Sequence, residues 1–235
     1  EAMASRVDSR REYEPLQLSS SASATSVMSP DTWYPLNDYT RATYDKVFNA
    51  MAGFFGTSNL VYGTKIPYRW RCMVCGPRQV QTIPKASRVL AGVEGSIGTW
   101  SYDAGLSRAS SEAESILGGG YYFSTGLRQA LGSGRLNPFL MPGQQQSAEA
   151  TAMLQAASAT GVHLYGGEST VTALDASFSG GLGFSLPGGE VQLATGIELR
   201  REEFGFAGKR EGANATREIY QAPFDVNNDQ PDVKR

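Results

Sequence analysis

The feature that most constrains this chain is a long alternation of apolar and polar side chains. From Thr172 to Leu186 the even positions are mostly apolar, and the odd positions are small or polar. Successive side chains of a β-strand point to opposite faces, so this period of two predicts a half-buried strand at about 169–186. Pro187 and two glycines then signal a turn, and 190–206 alternates again. The two segments together predict an antiparallel hairpin.

Another hairpin is predicted earlier in the chain. Segments 68–97 and 99–114 alternate in the same way, and the pair Gly98-Thr99 between them is a turn signal. A further short strand is predicted at about 2–13. Both hairpins carry aromatic residues, Trp100 in one and Phe184 in the other, close to the tight turn.

The connections between the predicted strands differ greatly in length. Two long loops, at about 14–67 and 115–168, separate hairpins that close through two or three residues. These loops contain helix-like stretches at 38–55, 121–130 and 147–160. A transmembrane β-barrel has short turns on one side of the membrane and long loops on the other. Strand 172–186 could extend about 50 Å at about 3.3 Å per residue, whereas a membrane crossing takes only about 9–11 tilted residues.

Composition excludes several classes of protein. The mean hydropathy is -0.31 and no run approaches the length of a membrane-spanning helix. A net charge of -2 and a pI of about 5.6 provide no electrostatic footprint for nucleic acid. We expect no cofactor, and we predict that the chain is not an enzyme, since neither a nucleophile–base pair nor a phosphate-binding loop is apparent.

The fold class predicted from these patterns is all-β. We expect antiparallel strands of a transmembrane β-barrel, present as an incomplete, open sheet, with long loops that contain short helices. The alternative is a soluble or surface-anchored β-rich binding module, such as an adhesin-like sandwich. Alternation alone does not separate the two, because a sandwich strand also has one apolar and one polar face.

Several short motifs, in order, resemble the middle of TonB-dependent receptors of the bacterial outer membrane. The resemblance extends from about Trp33 to Arg235, and its motifs are Tyr68-Arg69, Gly76-Pro77-Arg78, Arg88–Gly95, Trp100–Asp103 and Leu136–Phe139.

The resemblance implies a segment of an active transporter in the outer membrane of a Gram-negative cell. Such receptors take up an iron chelate, cobalamin or a carbohydrate, and a TonB-type partner energises them through an N-terminal part that is not recognisable here. The implied partners are outer-membrane lipid, the TonB-type protein and an unidentified small molecule. Its ligand-binding residues stay unknown. We expect the fragment alone not to be competent for transport.

Cys72 and Cys75 form a CxxC motif with three readings. They can form a loop disulfide in an oxidising compartment, remain free thiols, or serve redox or metal chemistry. Residues three apart in an extended strand lie too far from each other for a disulfide, so pairing requires a turn, for example at Gly76-Pro77.

Each of the remaining candidate groups can be interpreted as having either a structural role or a functional one. Three arginines in the first part of segment 68–97 could meet an anionic chelate or lipid phosphates, but solvated loop charge is the first expectation. Four strand carboxylates could do acid–base work, but lining of a polar interior is favoured. His163 is expected in a loop exposed to solvent. The arginines are Arg69, Arg71 and Arg78, and the carboxylates are Glu94, Asp103, Asp175 and Glu198.

Overall fold

The computed structural model describes residues 1–19, 33–208, 214–222 and 230–235. Most of this part of the chain is antiparallel β-sheet, as the sequence predicts. The strands are Ala2–Arg6 (β1), Ser9–Tyr13 (β2), Gln17–Ser19 (β3), Trp33–Tyr34 (β4), Ile66–Pro67 (β5), Arg69–Arg71 (β6), Arg78–Ile97 (β7), Trp100–Leu117 (β8), His163–Leu186 (β9), Gly189–Ala207 (β10) and Gln230–Lys234 (β11). The helices are Arg41–Phe55 (α1), Ser124–Gly132 (α2) and Ala148–Ala157 (α3), and Met73–Cys75 forms a 3₁₀ turn.

One large sheet dominates the fold. Its strand order is β1-β7-β8-β9-β10-β11, and β2 continues the edge of β1 by pairing with the upper part of β7. Neighbouring strands are antiparallel at every step. The four central strands contain 20, 18, 24 and 19 residues, several times the usual strand length of about 5–6 residues.

Tight turns join the central strands at one end of the sheet. The pair Ile97↔Trp100 closes the first hairpin, and Gly98 has a φ of 64°. A positive φ matches the primed turns of two-residue hairpins, and glycine adopts it without a steric penalty. The pair Leu186↔Gly189 closes the second hairpin. Long connections meet at the opposite end of the sheet.

Two strand boundaries differ from those expected from the sequence. The strand expected at 68–97 begins at Arg78, because residues 66–77 form two short strands and the 3₁₀ turn. The strand expected at 2–13 is divided into β1 and β2. At the division, the Val7 amide still donates to the Pro84 carbonyl (3.0 Å). Strand β10 begins and ends within one residue of the predicted limits, 190–206. Strand β9 ends where predicted, at Leu186, but begins six residues earlier than predicted, at His163.

The long connections fold into a compact body, which we call the cap: residues 14–19, 33–77, 118–162 and 214–222. The first predicted loop includes residues 20–32, which lie outside the described part of the chain. The interior of the cap contains fully buried Leu16, Leu18 and Tyr44, together with Leu127 and Leu131 of α2. Among the described residues, the buried hydrophobic clusters therefore lie in the cap and where the cap meets the adjacent ends of β7, β8 and β9.

Helices α1 and α3 fall within the stretches predicted to be helical, whereas α2 overlaps its predicted stretch and ends two residues beyond it, at Gly132. Ser147 is the N-cap of α3, and its hydroxyl accepts a hydrogen bond from the Ala150 amide (3.1 Å). Glu149, in the first turn of α3, forms an ion pair with Arg135. Among the described residues, no helix is both long and apolar enough to cross a bilayer.

Candidate membrane interface

The alternating side chains of β7 to β10 assemble into continuous rows across the sheet. Residues directly opposite each other in an antiparallel ladder point to the same face. Four rows, one strand after another, therefore share one face, which we call the apolar face. They are Ala91–Leu106–Leu174–Leu199, Val93–Ala104–Ala176–Ile197, Gly95–Tyr102–Phe178–Thr195 and Ile97–Trp100–Gly180–Leu193.

The large side chains of the apolar face are exposed. Ile97 is 68% exposed, Val93 64% and Ile197 60%. Within the described residues, no second layer of the chain covers them. Soluble monomers rarely expose a contiguous apolar patch larger than a few hundred Å². Exposed apolar patches of this kind mark surfaces that contact a membrane or another protein.

Aromatic side chains near the tight turns lie over glycines of the neighbouring strand. A Cβ at Gly95 would lie 2.5 Å from the Tyr102 hydroxyl oxygen, and one at Gly180 would lie 2.6 Å from Cδ2 of Trp100. Both glycines are the direct cross-strand partners of these aromatics. The missing side chains let the rings lie flat on the sheet, where they form the lower end of the apolar face.

Charged and hydroxyl side chains end the apolar face toward the cap. The row Val89–Arg108–Thr172–Arg201 follows the last apolar row, and Ser87–Ser110–Thr170–Glu203 follows it. In the next row Lys85 pairs with Glu112 (N–O 3.3 Å). The four apolar rows cover residues 91–97 of β7, which is seven residues, slightly fewer than the about 9–11 of one tilted membrane crossing.

The opposite face of the same strands is polar. Its rows are Leu90–Ser107–Ala173–Arg200, Gly92–Gly105–Asp175–Glu198, Glu94–Asp103–Ser177–Gly196 and Ser96–Ser101–Ser179–Ala194. The four predicted strand carboxylates all lie on this face, in two adjacent rows. Directly opposed like charges are unfavourable unless water screens them, so this face suits a hydrated environment.

The cap packs on the polar side of the sheet. Val80 and Leu117 form a direct pair with the same parity as the polar rows, and both are buried. They join a second cluster with Tyr121, Phe123 and Ile219 of the cap. In the part of the chain that the structure describes, the loops therefore fold over the polar face and do not cover the apolar face.

Cys72 and Cys75 are joined by a disulfide, with their Cα atoms 5.2 Å apart. The 3₁₀ turn Met73–Cys75 supplies the change of direction that the sequence placed at Gly76-Pro77. Both sulfur-bearing residues are buried in the cap core. The Tyr122 hydroxyl donates to the Cys75 carbonyl (3.0 Å), and burial raises the pKa of Tyr122 above its ordinary value. This disulfide fixes the loop next to β6.

The three candidate arginines do not form one charged cluster. Arg71 pairs with Glu14, and the Arg78 Nε donates to the Glu14 carbonyl (3.0 Å). The Arg78 guanidinium also lies 6.0 Å from the ring centres of both Tyr13 and Tyr121. Two of the three arginines are thus used to join the end of β2 to the cap.

The remaining candidate groups are not gathered into a catalytic arrangement. His163 begins β9 and is half-buried, with its Nε2 3.8 Å from a Glu114 carboxylate oxygen, so it does not lie in a solvent-facing loop as expected. Within residues 1–19, 33–208, 214–222 and 230–235, no three potential ligand side chains are grouped to hold a metal ion.

Comparison with known proteins identified no similar chain. No family model, no curated protein and no solved structure matches it.

Proposed function

We propose that this chain forms part of the wall of an outer-membrane β-barrel transporter. The observation that carries the proposal is the exposed apolar face, bounded by aromatic residues at one end and by charged rows at the other. Lipid-facing walls of such barrels have an apolar band of this kind, with aromatic girdles at the interfaces. The polar rows on the other side of the same strands would line a hydrated interior.

Three features favour lipid as the cover over a second protein layer. The strands are far longer than those of ordinary sandwiches. The apolar rows cover seven residues of β7, close to the length of a membrane crossing, and the strands continue beyond them toward the cap. The cap lies on the polar side, whereas a sandwich would bury the apolar side against its partner sheet. An adhesin-like module is therefore the less favoured alternative.

The open edges of the sheet imply that other strands complete the wall. The sheet of the described residues has six strand positions, fewer than the eight strands of the smallest outer-membrane barrels. Unpaired edge groups in hydrocarbon would cost several kcal/mol each. We infer that the chain by itself does not transport, and that a barrel built from it requires further strands at β1 and at β11.

The similarity to TonB-dependent receptors supplies the proposed activity. On that basis, the complete barrel takes up an iron chelate, cobalamin or a carbohydrate, and a TonB-type protein provides the energy. The cap would then lie on the outer surface of the cell, where an ordered body on the long-loop side can meet the ligand. An oxidising exterior is also consistent with the Cys72–Cys75 disulfide.

Fractionation tests the proposal. The chain, expressed with an export signal, should remain in the membrane pellet after alkaline carbonate washing and should dissolve only in detergent. Liposomes reconstituted with the chain alone should show no uptake of a ligand. Recovery in the aqueous phase as a monodisperse protein would contradict a role in a membrane wall.

A further inference from the structure

The cap contains a groove with a distinctive lining, which we call the cap groove. It consists of two adjoining hollows of about 640 Å³ and about 360 Å³. Each lies in the range of small-molecule sites in proteins, about 300–1,000 Å³. Both hollows are lined by Asn137, Leu140, Gln144 and Gln145. Helix α1 borders the larger hollow, and the disulfide loop borders the smaller one.

Amide side chains are the main polar groups of the cap groove. The Met141 amide donates to Oε1 of Gln144 (2.9 Å), which orients that side chain. The Nε2 of Gln144 and the whole amide of Gln145 have no hydrogen-bond partner among the residues that the structure describes. An amide both donates and accepts hydrogen bonds, so it can serve hydroxyl groups on a ligand.

Apolar and aromatic side chains form the rest of the lining. Trp70 and Met73 border the smaller hollow, and Phe139 borders the larger one. The Phe139 ring packs edge-on against Tyr34, with ring centroids 5.1 Å apart, and this contact holds it in place. Trp70 is held by the pairing of β6 with β3 and by the neighbouring disulfide. The groove is therefore ordered before a ligand arrives, which lowers the entropic cost of binding.

The charge of the lining restricts the ligand. Among the described residues that line the two hollows, Lys46 is the one charged side chain and none carries a carboxylate. A multiply charged anion, such as an anionic ferric chelate, is normally held by several cationic groups. A ligand that suits this lining has hydroxyl groups at its edge, an apolar face and no net charge.

We propose that the cap groove binds a neutral oligosaccharide. A sugar ring presents C–H groups on its face, which can lie against Trp70, and hydroxyls at its edge, which can meet the amides of Gln144 and Gln145. This inference rests on the proposed uptake function and narrows its ligand to one class. It requires no change of the cap on binding, because the hollows are already open.

Titration of the purified chain in detergent, with its disulfide intact, tests this inference. The probes are the neutral hexasaccharides maltohexaose, xylohexaose and fully N-acetylated chitohexaose, with ferric citrate as the anionic comparison. We expect at least one hexasaccharide to bind with a dissociation constant below about 1 mM. Gln145→Ala should weaken that binding by about fivefold to tenfold through loss of hydrogen bonds. Trp70→Phe, which keeps an apolar ring, should weaken it by a smaller factor.

Two matched variants serve as controls. Gln192→Ala makes the same change on the exposed part of β10 and should leave the affinity within about twofold. Lys65→Gln, on an exposed part of the cap that borders neither hollow, should also leave it within about twofold. The inference is overturned if no hexasaccharide binds at about 10 mM, if Gln145→Ala has no effect, or if ferric citrate binds more tightly than every sugar.

The result can be separated from that of the membrane proposal. Lipid accessibility of the apolar face can be measured on the same preparation without any sugar. A lipid-facing sheet without sugar binding would refute only the ligand, whereas sugar binding by a chain with a water-exposed or protein-covered apolar face would refute the membrane wall.

Discussion

Trp100 stacks on Phe178 across β8 and β9, with ring centroids 4.7 Å apart and ring planes 12° from parallel. The pair lies on the apolar face beside the tight turn of the first hairpin. Trp100 is also the direct partner of Gly180, over which its ring lies. The two rings thus form a flat apolar surface where the sheet would leave the hydrocarbon and enter the lipid headgroups.

This position predicts a lipid-dependent fluorescence signal from Trp100. In vesicles that contain brominated lipid, emission from Trp100 should be quenched, because the ring would contact the lipid near the interface. Trp70 lies in the cap and should not be quenched. The comparison uses Trp100→Phe, which should remove most of the quenching. Equal quenching in that variant would place the contact with lipid elsewhere.

Two neighbouring residues of β9 allow a matched test of the faces. Ala176 lies in an apolar row and Ser177 lies on the polar face. Ala176→Lys should destabilise the inserted sheet by about 2–4 kcal/mol, the cost of a lysine at mid-membrane on a barrel wall. Ser177→Lys should cost well under 1 kcal/mol, since water would reach it. Denaturant titration of the vesicle-bound chain measures both, and equal costs would contradict the assignment of faces.

The alternation in the sequence was enough to predict both hairpins and the order of short and long connections. It did not specify the register between the two hairpins, because a shift of two residues keeps every side chain on the same face. The strand expected to start at 68 was wrong since the Cys72–Cys75 turn interrupts extended backbone there. The sequence carries a signal for this interruption, in the CxxC motif and the adjacent Gly76-Pro77.

The cap groove could not be predicted from the sequence. Gln145 and Trp70 are 75 positions apart by residue number, and neither belongs to a motif with an established chemistry. Their proximity results from tertiary packing of the disulfide loop against residues 137–146. The same is true of Arg78, whose contacts with Tyr13 and Tyr121 depend on how the edge of the sheet meets the cap.

A pair of glycine substitutions tests the packing of the cap. A Cβ on Gly126 of α2 would lie 2.7 Å from the Cβ of buried Ala157 in α3, whereas a Cβ on Gly53 of α1 would meet nothing within 4 Å. Gly126→Ala should destabilise the cap by about 1–3 kcal/mol through overpacking. Gly53→Ala should stabilise it by about 0.5–1 kcal/mol, since alanine favours a helix.

Near-UV circular dichroism during denaturant unfolding would measure the two glycine variants. Both contain the same added methyl group, so a difference in sign isolates the contact between α2 and α3. A stabilising Gly126→Ala would show that the two helices pack differently.

The raised pKa of Tyr122 predicts a loss of cap stability in strong alkali. Burial favours its neutral form, so the folded state retains the phenol proton more tightly than the unfolded state does. This contribution is complete below the unfolded pKa of about 10 and is lost as pH rises toward the higher folded value. Tyr122→Phe should reduce the slope of stability against pH above about 10 and cost about 1 kcal/mol at neutral pH. An unchanged slope would show that Tyr122 does not contribute to it.

Lipid accessibility along β10 tests the central claim most directly. A nitroxide label is attached to one residue at a time, at positions 192–199, and the labelled chain is placed in lipid vesicles. Electron paramagnetic resonance then measures the collision rate of each label with oxygen and with a water-soluble nickel complex. The account predicts a period of two, with high oxygen accessibility at Leu193, Thr195, Ile197 and Leu199 and high nickel accessibility at the residues between them. Low accessibility to both reagents at the odd positions, as expected for side chains covered by protein, would contradict it.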